Sequence, residues 1–254
     1  MLSNSNLDLT QKTAVITGAS RGIGRACALR LAAQGASIYL AADGTQAELD
    51  DTIAACKQAG APDAASGIHD MSKDGEAEAL IAAAHARLGR IDILVNNAGI
   101  RSRKAFEQFT HEDFDRVVAV NLRAPFFASQ AVIPIMRRQG GGVIVNMASQ
   151  LGIVASRFGA IYSLTKAGLI QMTRSLARNS GACPSGPPIR KAMSLVPPSR
   201  WRRSRSAKAS LASALPRSSS TTVKHFGGSA PAMTRPSSAM RAAAEEACDS
   251  LNSV

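Results

Sequence analysis

Tyr162 and Lys166 lie four residues apart in a segment with helical periodicity, a spacing that puts two side chains on one helix face. An ammonium group beside a phenol stabilises the phenolate, so Tyr162 is a candidate proton donor and acceptor for the interconversion of alcohols and ketones. Ordinary pairs of exposed helix residues show the same spacing. The rest of the chain therefore decides whether this pair is catalytic.

A glycine-rich segment at residues 17–24 follows a short apolar run and precedes a helical pattern. Gly18, Gly22 and Gly24 would allow a tight turn and a close approach of the backbone to a pyrophosphate. The N-terminus of the following helix would offer free N–H groups to the same ligand. Glycines can also serve a turn alone, but three at this spacing between a strand and a helix favour a dinucleotide site.

Apolar runs alternate with helical patterns along the first 178 residues, which predicts βαβ units with helices on both faces of a parallel sheet. Right-handed crossovers then give an α/β fold with a doubly wound sheet. We expect a bend or interruption in the fourth helix near Pro125 and Pro134. The predicted strands are 13–17, 37–41, 66–69, 91–95 and 143–147, and the predicted helices are 22–34, 45–59, 73–88, 112–138 and 160–178.

Several motifs occur in the order of the short-chain dehydrogenase/reductase family and at similar separations. They are the glycine loop at residues 17–24, the run Asn-Asn-Ala-Gly at 96–99, Asn121, Ser149, and the Tyr162/Lys166 pair. The resemblance covers about residues 10–178. It implies a Rossmann-like fold and an oxidoreductase that transfers a hydride between NAD(P)(H) and a carbonyl or secondary alcohol. It also implies a homodimer or homotetramer acting on a small molecule.

The resemblance implies a role for each catalytic candidate. Tyr162 would exchange a proton with the substrate oxygen, and Lys166 would assist Tyr162 and bind the nicotinamide ribose. Ser149, at the carboxyl end of a strand, would donate a hydrogen bond to the developing alkoxide. Asn121 would hold a water that links Lys166 to solvent; the alternative is a helix-interior amide bonded to the backbone.

Residues around the glycine loop and the strand ends are the candidates for cofactor binding. Asp70 resembles the family's acid at the adenine amino group, and its alternative role is to cap the helix at 73–88. The run at 96–99 would form the pocket wall beside the adenosine or serve only as a turn. The full set is Gly18, Ser20, Arg21, Gly22, Ile23, Gly24, Ala42, Asp43, Asp70, Asn97, Ala98 and Gly99, with Tyr162 and Lys166.

The choice between NAD and NADP depends on the end of the second strand. An acid there binds the ribose 2′-hydroxyl, whereas a basic residue nearby favours a 2′-phosphate. The position is occupied by Ala42, and Arg21 in the glycine loop is available to a phosphate. Asp43 would repel that phosphate or bind the hydroxyl if the strand ended one residue later. The balance slightly favours NADP.

The segment 150–158 is the expected wall of the substrate pocket and is largely apolar. Arg157 in this segment would bind an anionic group or face solvent. Arg101, Arg103 and Lys104 follow the run at 96–99 and would steer an acidic substrate toward the cleft, unless they are merely solvated.

Composition excludes several other classes of protein. The four cysteines and four histidines are scattered, so no metal site is predicted and the cysteines are expected to be reduced. No segment approaches the ~20 apolar residues of a membrane span, and the first ten residues lack the apolar run of a secretory signal. We expect a cytoplasmic protein with no membrane partner.

The chain changes character near residue 179. Residues 179–254 hold 11 Lys/Arg, 3 Asp/Glu and 8 of the 11 prolines, a composition that forms a core poorly. We therefore predict two parts, a catalytic Rossmann core at 1–178 and an atypical basic tail at 179–254 with no sixth strand at 191–198. We hypothesise that the tail arises from a shifted reading frame. A single uninterrupted frame in independently resequenced coding DNA would instead indicate a divergent C-terminal region.

Two alternative functions follow from this tail. Loss of the C-terminal substrate region would leave an inactive scaffold that binds cofactor without turnover. The basic residues around Trp201, at 200–208, would bind nucleic acid through phosphate contacts and one stacking ring. Nucleic-acid binding is the weaker alternative, because a shifted frame in GC-rich DNA also yields Arg, Pro, Ser and Ala.

Overall fold

The computed structural model describes residues 8–179 and 191–195, which form an α/β fold around one parallel sheet. Its strand order, β3-β2-β1-β4-β5-β6, reverses direction between β1 and β4. The carboxyl ends of those two strands border the crevice where open α/β sheets bind ligands. The predicted doubly wound sheet is confirmed. The strands are β1 (Thr13–Thr17), β2 (Ser37–Ala42), β3 (Ala64–Ile68), β4 (Ile93–Asn96), β5 (Val143–Met147) and β6 (Lys191–Leu195).

Helices cover both faces of the sheet, because successive strand residues point into two separate apolar clusters. In β1, Ile16 packs in the cluster that α1 and α2 complete, whereas Val15 packs in the cluster of α3 and α5. Burial on both faces explains why the strands read as continuous apolar runs. The helices are α1 (Gly22–Ala32), α2 (Gln46–Ala59), α3 (Glu76–Leu88), α4 (His111–Val118), α5 (Ala124–Arg138) and α6 (Ala160–Asn179).

The long helix predicted at 112–138 contains an irregular turn. A π-helical turn at Ala119–Arg123 joins α4 to α5, so the predicted interruption lies just before Pro125. Pro125 itself fits the first turn of α5, where its missing N–H is not needed. π-Helical turns recur at functional sites, and this one carries Asn121.

The same run, His111–Arg138, is 28 residues long and could cross a membrane by length and composition alone. The sequence-based expectation that no segment approaches this length was therefore too strict. In the fold the run is α4, the π-helical turn and α5, and α5 packs on the core: Val132 and Met136 are fully buried against the sheet.

The absence of a sixth strand was a wrong expectation. Lys191–Leu195 pairs in parallel with β5, residue for residue from Val143 to Met147. The run 191–195 is short and begins with a lysine, so its pattern alone does not indicate a buried strand. Its pairing with β5 depends on a neighbour nearly fifty residues away in the chain.

A chain of buried amides and hydroxyls ties the sheet to the helices on either side. Asn96 in β4 donates to Asn146 in β5 (2.8 Å) and to Ser129 in α5 (3.2 Å). Asn146 in turn donates to the Thr173 hydroxyl in α6 (2.9 Å). Ser129 and Thr173 each donate to a helix carbonyl four residues earlier. Because every member has a partner, the network fixes the alignment of α5 and α6 with the sheet and leaves none of its own buried polar groups unsatisfied.

Replacing Thr173 with valine should lower the free energy of unfolding by about 1–3 kcal/mol, because the Asn146 amide would lose its buried acceptor. Urea denaturation of the two proteins measures the difference. Ser163→Ala is the matched control: the Ser163 hydroxyl is buried without a partner among the described residues, so its removal should be neutral or stabilising. A neutral Thr173→Val would show that the network does not hold α6 to the sheet.

Candidate active site

The glycine loop forms a cradle between β1 and α1. Gly18 and Gly22 adopt positive φ angles of 63° and 58°, a conformation that favours glycine. The space beside the Gly22 Cα is open, with no atom within 4 Å of an added Cβ. Arg21 occupies the N-cap of α1 without a side-chain cap, so the first N–H groups of the helix are available. These features fit the pyrophosphate of a dinucleotide.

Asn97 fastens this loop to the end of β4. Its side-chain amide donates to the carbonyls of Thr17 and Gly18, both at 3.0 Å. The Thr17 hydroxyl accepts in return from the backbone N–H groups of Asn97 and Ala98. The interpretation of this run as a structural turn is therefore supported, and the same turn places Ala98 beside the Cα of Gly18.

Gly24 permits α1 to pack closely against the glycine loop and the Asn97 side chain. A Cβ on Gly24 would overlap the Gly18 carbonyl oxygen and the Asn97 side chain. The third glycine of the motif therefore serves the packing of α1 against the loop and leaves direct ligand contact to its neighbours.

The end of β2 carries the residues that would select the cofactor. β2 ends at Ala42, one residue beyond the predicted strand 37–41 and at the position that the sequence assigned to cofactor selection, and Asp43 lies next to it, exposed. Across the cleft, the Arg21 guanidinium lies 3.8 Å from the Glu48 carboxylate, and its side chain is 86% exposed. Such an exposed pair contributes little to stability, so Arg21 can exchange Glu48 for another anion.

Asp70 closes a turn after β3. Its carboxylate accepts from the backbone N–H and the hydroxyl of Ser72 (3.0 and 2.6 Å), and these bonds lower its pKa. α3 begins only at Glu76, with Gly75 as its N-cap. The alternative that Asp70 caps α3 is therefore wrong, whereas its role at the adenine stays a prediction.

Tyr162 and Lys166 share one face in the first turns of α6, as their spacing predicted. The Lys166 Nζ lies 5.5 Å from the centre of the Tyr162 ring and donates to the Met147 carbonyl at the end of β5 (2.6 Å). Lys166 is only 4% exposed. Burial penalises the ammonium form and lowers the Lys166 pKa to about 8.

Asn121 links this pair to the loop after β4. Its amide donates to the Ile100 carbonyl and accepts from the Ile100 N–H (2.9 and 2.8 Å). It also donates to the Thr165 hydroxyl at 3.3 Å. A Cβ on Gly99 would lie 3.4 Å from the Asn121 oxygen and 3.6 Å from the Lys166 Nζ. The Asn121 oxygen and the Lys166 Nζ therefore face the same gap beside Gly99. The hydrogen bonds of Asn121 to the Ile100 backbone agree with the alternative role predicted for it, an amide bonded to the backbone.

Ser149 follows β5 and begins a short 3-10 turn at Gln150–Gly152. Its hydroxyl oxygen accepts from the Leu151 N–H at 3.2 Å, so the hydroxyl proton is free to be donated. Gly152 lets this turn lie directly on α6: an added Cβ would come within 2.7 Å of the Lys166 backbone carbon. Ser149 is thus held on the same side of the sheet edge as Lys166.

The predicted substrate wall is open and apolar. Ile153, Val154 and Phe158 are 61%, 40% and 40% exposed, which is unusual for large apolar side chains in one loop. The Arg157 guanidinium lies over the Phe158 ring, 5.1 Å from its centre. Lys104 pairs with Asp113, so it is not part of a free cationic cluster.

Sequence reasoning missed residues whose partners lie far away in the sequence. Arg123, two residues after Asn121, binds Asp74 at 2.6 Å and the Ser72 carbonyl at 2.7 Å. It therefore joins the π-helical turn to the loop that contains Asp70. The positioning roles of Thr17 and Gly152 were equally missed, although each residue lies inside a segment that the sequence had singled out, 17–24 and 150–158.

Comparison with known proteins agrees with this geometry. Residues 12–182 match the family model described as short chain dehydrogenase. The chain belongs to the short-chain dehydrogenase family. Membership of this family implies an NAD(P)(H) site, which the glycine cradle fits.

Individual relatives are similar over the same region. The chain is 40% identical over 166 residues to an uncharacterized oxidoreductase of Thermotoga maritima, covering 65% of this chain. It is 39% identical over 172 residues to the D-beta-hydroxybutyrate dehydrogenase of Rhizobium meliloti, also covering 65%. The chain spans 64% of the length of both curated relatives. The crystal structure of levodione reductase aligns with a TM-score of 0.64 at 38% identity, over 68% of this chain and 67% of that one.

The buried Lys166 predicts how stability depends on pH. Its folded pKa of about 8 lies below the ordinary lysine value of 10.5, so between these values the unfolded chain holds more protons. The free energy of unfolding should then rise with pH across this window, by up to about 3 kcal/mol from this group.

Urea denaturation at pH values of about 7.5, 9 and 10.5, with Lys166→Met measured in parallel, isolates the contribution. The Met variant should lack the increase while sharing every other titration. Parallel pH profiles for the two proteins would contradict the burial of a charged Lys166.

Proposed function

We propose that this protein is an NAD(P)-dependent oxidoreductase that interconverts a secondary alcohol and a carbonyl, with Tyr162 as the acid and base. The observation that carries the proposal is the convergence of Tyr162, Lys166, Asn121 and Ser149 at the carboxyl edge of the sheet. The glycine cradle opens at the same edge. A reacting carbon between the two would meet both a hydride carrier and a proton donor.

The chain's own residues account for the proton. NAD(P)H, which the glycine cradle would hold, would supply the hydride for the carbonyl carbon. The Tyr162 hydroxyl then gives its proton to the carbonyl oxygen, and the nearby Lys166 ammonium stabilises the phenolate that remains. Ser149 donates its free hydroxyl proton to the oxygen as negative charge develops there. In the oxidative direction the same groups act in reverse.

Lys166 is suited to this role by its burial. A cation in a site that excludes water acts on its neighbours more strongly than one in solvent. The Met147 carbonyl uses one of its three donors, and two remain for the ribose hydroxyls and for a water in the gap beside Gly99. Asn121, fixed by Ile100, would set the far side of that gap.

NADP is proposed as the preferred cofactor. β2 ends at Ala42, which offers no carboxylate to the 2′-hydroxyl. The exposed Arg21 can leave Glu48 and bind a 2′-phosphate. The Asp43 carboxylate would repel a 2′-phosphate. Because Asp43 is exposed, one residue beyond the strand, screening by solvent and salt weakens this repulsion.

The protein is further proposed to be a cytoplasmic homo-oligomer with a small-molecule substrate. Phe106, Phe114 and Leu164 are 78%, 45% and 54% exposed, and they line an apolar cavity of about 380 Å³ between α4 and α6. A second copy of the chain would cover this surface. The inactive scaffold is not favoured, because the chain carries all four catalytic candidates. The basic stretch 200–208 lies outside the described residues.

Tyr162→Phe should reduce turnover by about 10²–10⁴-fold while leaving cofactor affinity nearly unchanged, because only the transferable proton is lost. Steady-state rates across a panel of ketones and fluorescence titration with NADPH measure the two quantities. Tyr39→Phe removes the hydroxyl of the other tyrosine, buried in β2 away from the cradle, and should keep wild-type rates. Normal activity in the Tyr162→Phe enzyme would rule out the proposed acid and base.

NADPH and NADH should both raise the melting temperature, NADPH at lower concentration, because a ligand of the native state stabilises it by mass action. Arg21→Gln should lower the affinity for NADPH and leave the affinity for NADH unchanged. Asp43→Asn should raise the affinity for NADPH. If neither cofactor stabilised the folded protein, the cradle would not be a dinucleotide site. A wild-type protein that binds NADH more tightly than NADPH, or an Arg21→Gln variant with unchanged NADPH affinity, would contradict the choice of NADP alone.

A further inference from the structure

Arg101 lies against the proposed catalytic tyrosine. Its guanidinium carbon is 5.5 Å from the centre of the Tyr162 ring, within the range of a cation–π contact. The Lys166 ammonium is at the same distance from that ring. The ring of Tyr162 therefore has two cations beside it, one buried and one at the mouth of the cleft, where Arg101 is exposed.

The guanidinium also reaches the segment that precedes α6. A Cβ added to Gly159 would lie 3.6 Å from an Arg101 Nη and 3.3 Å from the Ser156 hydroxyl. Arg101 begins in the loop after β4, so its side chain spans the cleft from that loop to the segment 156–159. A group at this position lies where a substrate must pass to reach Tyr162.

The charge of Arg101 is not neutralised within this part of the fold. Of the acids that follow Arg101 along the chain, Glu107 is exposed and Asp113 already accepts from Lys104, Ser102 and Thr110, and no ion pair joins either of them to Arg101 within the described residues. Residues 116–179 contain eight Lys/Arg and no Asp or Glu. The wall formed by β5, the 3-10 turn and α6 therefore carries no carboxylate, and its field attracts anions.

We infer that the substrate carries a carboxylate a few bonds from its reacting carbonyl, and that Arg101 binds this carboxylate. The inference rests on the proposed function and names its substrate class. A planar guanidinium offers two parallel N–H donors that match a carboxylate. A single guanidinium supplies one charge, which suits a monoanion better than a phosphate monoester. The contact with the Tyr162 ring sets the distance between the carboxylate and the reacting oxygen.

Two matched pairs of small molecules test this assignment on the full chain. The first pair is 3-oxobutanoate and its methyl ester, compared by kcat/KM. The second pair, butanoate and butanamide, cannot react and is titrated by calorimetry into protein saturated with NADPH. The wild type should prefer the acid of each pair, and Arg101→Gln should reduce kcat/KM and affinity for the acids by ~10-fold or more while sparing the ester and amide.

Arg103→Gln is the control, since it removes the same charge from the same loop and should keep the preference for acids. Melting curves and NADPH titration confirm that each variant is folded and binds cofactor. The assignment would be overturned if the wild type bound butanoate and butanamide equally, or bound neither of them. The titration with NADPH would still test the proposed function separately. If Arg101→Gln and Arg103→Gln reduced the preference for acids equally, that preference would come from the general positive field of the loop. A specific contact between Arg101 and the carboxylate would then be ruled out.

Discussion

The burial of the Lys166 ammonium is the constraint on which the geometry of the candidate site depends. A buried cation is tolerated only where its donors find acceptors, and here the Met147 carbonyl at the end of β5 is one of them. The remaining donors face a gap bounded by Gly99 and the Asn121 amide. The end of β5, the loop after β4 and the π-helical turn must therefore all stand at fixed distances from α6. The polar network from Asn96 through Asn146 to α6 maintains those distances from inside the core.

Small residues are needed wherever two of these segments meet backbone to backbone. Gly24 and Gly152 each occupy a position at which a Cβ would strike main-chain atoms. Gly24 lets α1 approach the glycine loop, and Gly152 lets the loop of Ser149 approach Lys166. The glycine cradle and the proposed group for proton transfer are thereby held to the same sheet edge. Asn97 completes the connection, since its amide donates to the carbonyls of Thr17 and Gly18, where β1 runs into the glycine loop.

Local signals in the sequence were sufficient for the first five strands and for the order of the motifs. β1 and β5 were predicted with their observed bounds, because apolar runs flanked by glycine identify buried strands without tertiary information. Long-range contacts were not accessible in the same way. β6 was missed because its pairing with β5 has no local signature. The start of α3 was misplaced by three residues, since the turn that Asp70 closes delays the helix until Gly75. The roles of Arg123 and Asn97 depend on partners more than fifty residues away.

Charge is distributed unevenly between the two halves of the site, and this asymmetry suits the chemistry. The side that would hold the adenosine contains Asp43, Glu48, Asp70 and Asp74, two of them paired with Arg21 and Arg123. The side that would hold the reacting carbonyl is built from residues 116–179, which contain no acid. Reduction of a carbonyl develops negative charge on its oxygen, and fixed dipoles and cations that already face that position stabilise it without reorganisation. A carboxylate in the same wall would oppose this charge and compete for Lys166. The absence of acids would therefore favour an alkoxide at the point where, in the proposed mechanism, Tyr162 and Ser149 meet it.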